Sequence, residues 1–60
     1  MNIDTKDLRV EIYKAGNNNV VRVIHIPTGK SASSSEKISQ YQNKLNALKL
    51  LAQELNNAQS

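Results

Sequence analysis

Hydrophobic and polar positions follow two periods along this chain, strand-like in its first half and helix-like in its second. Leu8, Val10 and Ile12 alternate with Arg9, Glu11 and Tyr13, the period of a strand with one face turned to a core. Val20, Val21, Val23, Ile24 and Ile26 then form the most β-branched run in the chain. Branched side chains favour a pleated strand, and apolar groups on both faces predict its centre place in a small sheet. Between these strands Ala15-Gly16-Asn17-Asn18-Asn19 is turn chemistry, because Gly and Asn take positive φ at least cost. At the far end Pro27 has no N–H for a ladder and Gly29 tolerates a positive φ, so the second strand is expected to turn at Pro27-Thr28-Gly29.

The stretch Lys30-Ser31-Ala32-Ser33-Ser34-Ser35 is poor in apolar groups and reads as loop by propensity alone. The turn before it argues that its first part returns as a third, edge strand, where Lys and Ser discourage sheet-to-sheet association. Two capping boxes then compete for a helix start, Ser33-x-x-Glu36 and Ser39-x-x-Gln42. Beyond them Tyr41, Leu45, Leu48, Ala52 and Leu55 recur at helical spacing, with Lys44 and Leu51 flanking the stripe and Leu50 nearly opposite it. The prediction is an α+β domain, β-β-β-α, in which a three-stranded antiparallel sheet carries a helix over Tyr41–Leu55. Its expected core is Leu8, Val10, Ile12, Val21, Val23, Tyr41, Leu45, Leu48, Leu51 and Leu55. The domain is expected over residues 7–56, with a disordered, unpatterned N-terminus, 1–6, before it and a frayed end, 57–60, beyond the Asn56-Asn57 stop signal.

Sixty residues hold one domain, and a chain this short buries only about 60% of its unfolded surface. There is no Cys, hence no disulfide and no thiolate ligand, and one His among scattered acids builds no metal site. No cofactor is expected. No apolar run approaches the length of a membrane span, and the first residues have no apolar signal core, so the expected place is the cytoplasm. The net charge is +3 and the pI about 9.5, values that suggest a polyanionic partner. Between Ala15 and Gln53 five bases (Arg22, Lys30, Lys37, Lys44, Lys49) face a single acid, Glu36.

Three motifs invite a catalytic reading. Gly29-Lys30-Ser31 mimics the end of a phosphate-binding loop, but Ile24 stands where its first glycine belongs and no parallel α/β sheet fits in this length. His25 has no nucleophile elbow or acid partner in sequence, and a hydrogen bond to the turn or the helix start accounts for it better. The carboxylates Asp4, Asp7, Glu11, Glu36 and Glu54 form no pair of the kind that acid–base hydrolysis uses.

Val21-Arg22-Val23-Ile24-His25-Ile26-Pro27-Thr28-Gly29 resembles the segment that follows the catalytic loop in bacterial-type peptide chain release factors. The similarity continues at the family's spacing to Ser39-Gln40 and Asn43-Lys44, its Ser-Gln-x-x-Asn-Lys signature, and upstream to Asp7–Ala15. The matching signature residues are His25, Pro27, Thr28, Gly29, Ser39, Gln40, Asn43 and Lys44, with Arg22 at the family's strand arginine. The resemblance implies Ser39 as the helix cap, Asn43 as a bond to the strand turn, and Gln40 and Lys44 as groups within reach of RNA. In the family a Gly-Gly-Gln loop between the first two strands positions water at the peptidyl-tRNA ester. This chain has only Gly16 and Asn17–Asn19 there, with no Gly-Gly pair and no Gln. Ile24, Ile38 and Tyr41-Gln42 also depart from the family pattern.

The expected function is therefore that of a non-catalytic release factor-like domain. Its partner is expected to be RNA, ribosomal foremost, bound on one basic face by Arg22, Lys30, Lys37, Gln40, Lys44 and Lys49. Tyr41 is assigned to the core, which leaves little aromatic stacking. The alternative is a protein-interaction module or homodimer, using the sheet face that carries Tyr13, Val20, Ile24 and Ile26.

Overall fold

A computed structural model of the chain describes residues 4–36 and 38–59, with the backbone alone at 58 and 59. One 3-10 turn, Thr5–Asp7, leads into strand β1, Leu8–Ala15, followed by β2, Asn18–His25, and β3, Ser31–Ser34. Helix α1, Gln40–Gln59, closes the fold. The sheet order is β1-β2-β3 with both pairings antiparallel, the predicted β-β-β-α arrangement. The opening turn is capped by the Asp4 carboxylate, which accepts from Lys6 N at 3.1 Å.

The first hairpin is tighter than the run of asparagines suggests. Ala15 pairs with Asn18, so Gly16 and Asn17 alone form the loop, with Gly16 at φ 64. Positive φ at the first loop position only is the II′ geometry, whose twist matches that of the flanking strands. Asn18 and Asn19 belong to β2. At the other end the chain turns over Ile26–Thr28, with Gly29 at φ 75. Gly29 N donates to His25 O and His25 N donates to Lys30 O, both at 2.8 Å.

Cross-strand pairing sorts the side chains by face. Val21 stands between Ile12 and Ser34, and Val23 between Val10 and Ala32, so these six share one side of the sheet. The helix packs on that side, over β2 and β3. It turns inward the row Asn43, Ala47, Leu51 and Leu55, spaced by four and closed away from solvent against Val21 and Val23. Leu8, Ala32 and Leu48 pack at the edge of this core.

Four expected core residues lie outside it: Val10 is 40% exposed, Ile12 55%, Tyr41 67% and Leu45 48%. The reason is the position and phase of the helix. It covers the central strand β2 and the edge strand β3 rather than all three strands, which leaves β1 open on its flank. Its buried row runs through Asn43 and Ala47, residues that a search for large apolar groups passes over. Val20, Ser34, Asn43 and Ala47 are buried in their place. The helix start falls where the second capping box puts it: Ser39 Oγ accepts from Tyr41 N at 3.1 Å and from Gln42 N at 3.4 Å. The helix continues past Asn56 to Gln59.

Candidate nucleic-acid interface

The signature residues divide into a turn, a joint and an exposed pair. In the turn, His25 Nδ1 lies 2.9 Å from Thr28 Oγ1, and the same hydroxyl accepts from Lys30 N at 3.2 Å. With Pro27 and Gly29 these residues shape the chain reversal between β2 and β3. At the joint, Asn43 is fully buried and donates from Nδ2 to Asn19 O at 2.9 Å. Its Oδ1 accepts from Ser34 Oγ at 3.2 Å, and Asn46 Nδ2 donates to that hydroxyl at 2.8 Å. A polar chain thus pins the helix start to β2 and β3. Sequence patterning does not single out Ser34 and Asn46. The signal for them is the polar spacing of Asn43 and Asn46 on the inward side of the helix.

Gln40 and Lys44 are the exposed pair, one helical turn apart. Lys49 is exposed further along α1. Among the described residues neither Lys44 nor Lys49 forms an ion pair. Tyr41 lies beside them, two-thirds exposed. Lys30 is held differently, 3.6 Å from Glu54 Oε1 near the far end of the helix. Arg22 lies between Val21 and Val23 on β2 and so projects from the sheet face opposite the helix. There it stands 4.0 Å from Glu11 Oε1 and donates to Ser31 Oγ at 3.3 Å. Lys37 lies outside the described residues. The structure therefore gathers Gln40, Lys44 and Lys49 on one helix, sets Lys30 against an acid, and puts Arg22 on the other side of the sheet.

The open flank of β1 forms a shallow cavity of about 330 Å³ between strand and helix, with Leu8, Val10, Tyr41, Lys44, Leu45 and Leu48 among its lining residues. The exposed apolar surface is thus found beside the helix as well as on the far face of the sheet. On that far face Tyr13 is half exposed and Val20 is buried. Arg9 adds a charge there, 3.5 Å from Glu11 Oε2.

The three-stranded sheet and its helix carry the His25–Gly29 turn and the Ser39–Lys44 helix start, the two segments on which the release factor resemblance rests. The chain is 45% identical over 60 residues to peptide chain release factor 1 of Lactococcus lactis subsp. lactis, a match that covers 85% of this chain and 17% of that protein. It is 35% identical over 68 residues to peptide chain release factor 1 of Helicobacter hepaticus, covering 98% of this chain and 19% of the relative. For peptide chain release factor 1 of Orientia tsutsugamushi the identity is 38% over 58 residues, with 82% and 16% covered. Over most of its length the chain is similar to a domain of the peptide chain release factor family, and it spans less than one fifth of the length of these relatives. No family model and no solved structure matches it. The Helicobacter alignment runs over 68 residues against a chain of 60, so that relative has at least eight positions without a counterpart here.

Proposed function

We propose that this chain is a cytoplasmic release factor-like domain that binds RNA, ribosomal RNA foremost, and does not hydrolyse peptidyl-tRNA. The observation that carries RNA binding is the exposed start of α1, where Gln40, Tyr41 and Lys44 lie within little more than one turn and, among the described residues, Lys44 has no acid paired with it. An amide reaches ribose or phosphate, an ammonium meets phosphate, and an exposed ring offers a base a stacking surface. Lys49 extends the same helix and Lys37 precedes it in sequence. Lys30 joins by exchanging Glu54 for a phosphate, and Arg22 serves nucleic acid that wraps to the second face of the sheet.

The reading without hydrolysis rests on the two-residue loop Gly16–Asn17 between β1 and β2. It holds no Gln and no Gly-Gly pair to position water at an ester. The shortfall of at least eight residues against the Helicobacter relative is consistent with a loop cut down at this hairpin.

Co-sedimentation with ribosomes tests the binding. The chain should pellet with them at low salt and leave them at high salt, since phosphate contacts release counterions. Lys44→Gln should weaken binding and flatten the slope of log affinity against log salt by about 0.9. Lys6→Gln, at a residue set 3.7 Å from Asp4 Oδ2, should change neither. Binding to ribosomes and RNA that ignores both salt and Lys44 would overturn the proposal.

A further inference from the structure

Strand β1 is an edge of the sheet, and the hydrogen bonds on its inner side settle which groups point outward. Ile26 N donates to Asp7 O at 2.8 Å, one step beyond the Leu8–His25 pair on both strands. Leu8 and His25 are therefore a pair that exchanges no hydrogen bonds, and such pairs alternate with bonded ones along an antiparallel ladder. Arg9, Glu11 and Tyr13 turn their amides to β2, whereas Leu8, Val10, Ile12 and Lys14 turn theirs away from it. The strand contains no Pro and pairs with β2 without a bulge, so the charges of Arg9, Glu11 and Lys14 are what a pairing at this edge has to match. Its helix-side groups Val10 and Ile12 are 40% and 55% exposed.

We propose that β1 pairs with β1 of a second copy of this chain, antiparallel about a two-fold axis through Val10, so that two sheets become one of six strands. The outward amides belong to even-numbered residues, so even positions must face even positions. Among the registers this permits, a centre at Arg9 sets Arg9 against Arg9, and a centre at Glu11 sets Glu11 against Glu11. Like charges directly opposite are unfavourable. A centre at Ile12 puts Val10 opposite Lys14. Only the centre at Val10 sets Arg9 opposite the second copy's Glu11, and it does so twice by symmetry. On the helix side the same register brings Leu8 to Ile12 and Val10 to its own copy. Arg9 and Glu11 would occupy the unbonded positions of the new ladder, where facing side chains approach closest. A domain too small for a large core gains apolar burial and ladder bonds in one step. Strand β1 and the start of α1 are separate elements, so dimerisation and RNA binding can fail independently.

Sedimentation equilibrium of the full chain, from micromolar to near-millimolar concentration, tests this. The unmodified chain should populate a dimer. Arg9→Glu and Glu11→Arg should each weaken self-association by about tenfold or more, because each sets like charges across the axis. Mixed together the two variants should form a heterodimer, since two carboxylates on one strand then face two guanidinium groups on the other. Val10→Pro removes an outward N–H that the β1–β2 ladder does not use, so it should leave a folded monomer. Circular dichroism reports folding in each case. If Glu11→Arg fails to fold beside Arg22, Arg9→Glu and Val10→Pro decide the matter. A chain that stays monomeric throughout overturns the proposal. So does a dimer that survives both Arg9→Glu and Val10→Pro.

Discussion

Asn43 and Asn19, 24 positions apart in sequence, are joined by one hydrogen bond of 2.9 Å from a helix side chain to a strand carbonyl. Solvent does not reach Asn43, and Asn19 is half-buried. Asn43→Leu keeps the approximate volume but leaves the Asn19 carbonyl and the Ser34 hydroxyl without this partner. Each such group costs about 1–3 kcal/mol, against a total stability on the order of a few kcal/mol for a domain of this size. Urea denaturation of Asn43→Leu should show a large loss of stability. Because Ser34 bonds both Asn43 and Asn46, Ser34→Ala and Asn43→Ala should combine to less than the sum of their separate effects.

The apolar core makes a graded prediction. Leu51 is fully closed from solvent, Leu48 packs at the edge of the same cluster, and Leu45 is nearly half exposed. Leu51→Ala should cost about 2–5 kcal/mol, the usual range for a buried Leu. Leu48→Ala should cost less and Leu45→Ala least. Thermal melts of the three variants should fall in that order, and equal melting points would place the helix in a different phase.

Both strand periods and both turns were legible in the sequence, because each rests on local chemistry, β-branched runs and Gly at positive φ. Local chemistry left Ser33 and Ser39 competing for the helix cap, and the resemblance chose Ser39. The phase of the helix was not legible. A stripe of Tyr41, Leu45 and Leu48 is as regular as the buried row Asn43, Ala47, Leu51 and Leu55, and periodicity ranks the larger apolar groups first. The buried row includes the joint at Asn43, a polar residue whose bonds lie far away in sequence. In this phase Tyr41 faces the surface. The proposed interface was half legible for a related reason. Spacing placed Gln40 and Lys44 together, but grouping Arg22 with them by charge passed over the alternation of Val21, Arg22 and Val23, which sends Arg22 to the other side of the sheet.

Peptide release gives the third prediction. Added to ribosomes that carry peptidyl-tRNA, the chain should release no peptide above background at any stop codon, because its Gly16–Asn17 loop presents neither the Gln nor the glycine pair that the reaction uses. Release that depends on this protein and is lost when Gly16 and Asn17 are replaced would overturn the non-catalytic reading.

Tyr41 separates stacking from charge at the proposed RNA surface. Its ring is 67% exposed, so Tyr41→Ala removes little buried area and should leave the melting point nearly unchanged. Base stacking on an aromatic ring contributes about 1–3 kcal/mol, so affinity for single-stranded RNA should fall by roughly tenfold or more. The salt slope should stay as it was, because no phosphate contact is lost. Lys44→Gln should do the reverse in kind, lowering affinity with a flatter slope. Titrations of both variants at several salt concentrations distinguish the two contributions. If Tyr41→Ala binds RNA like the unmodified chain while Lys44→Gln does not, the helix start works as a charged surface alone. If both bind unchanged, nucleic acid meets this domain elsewhere.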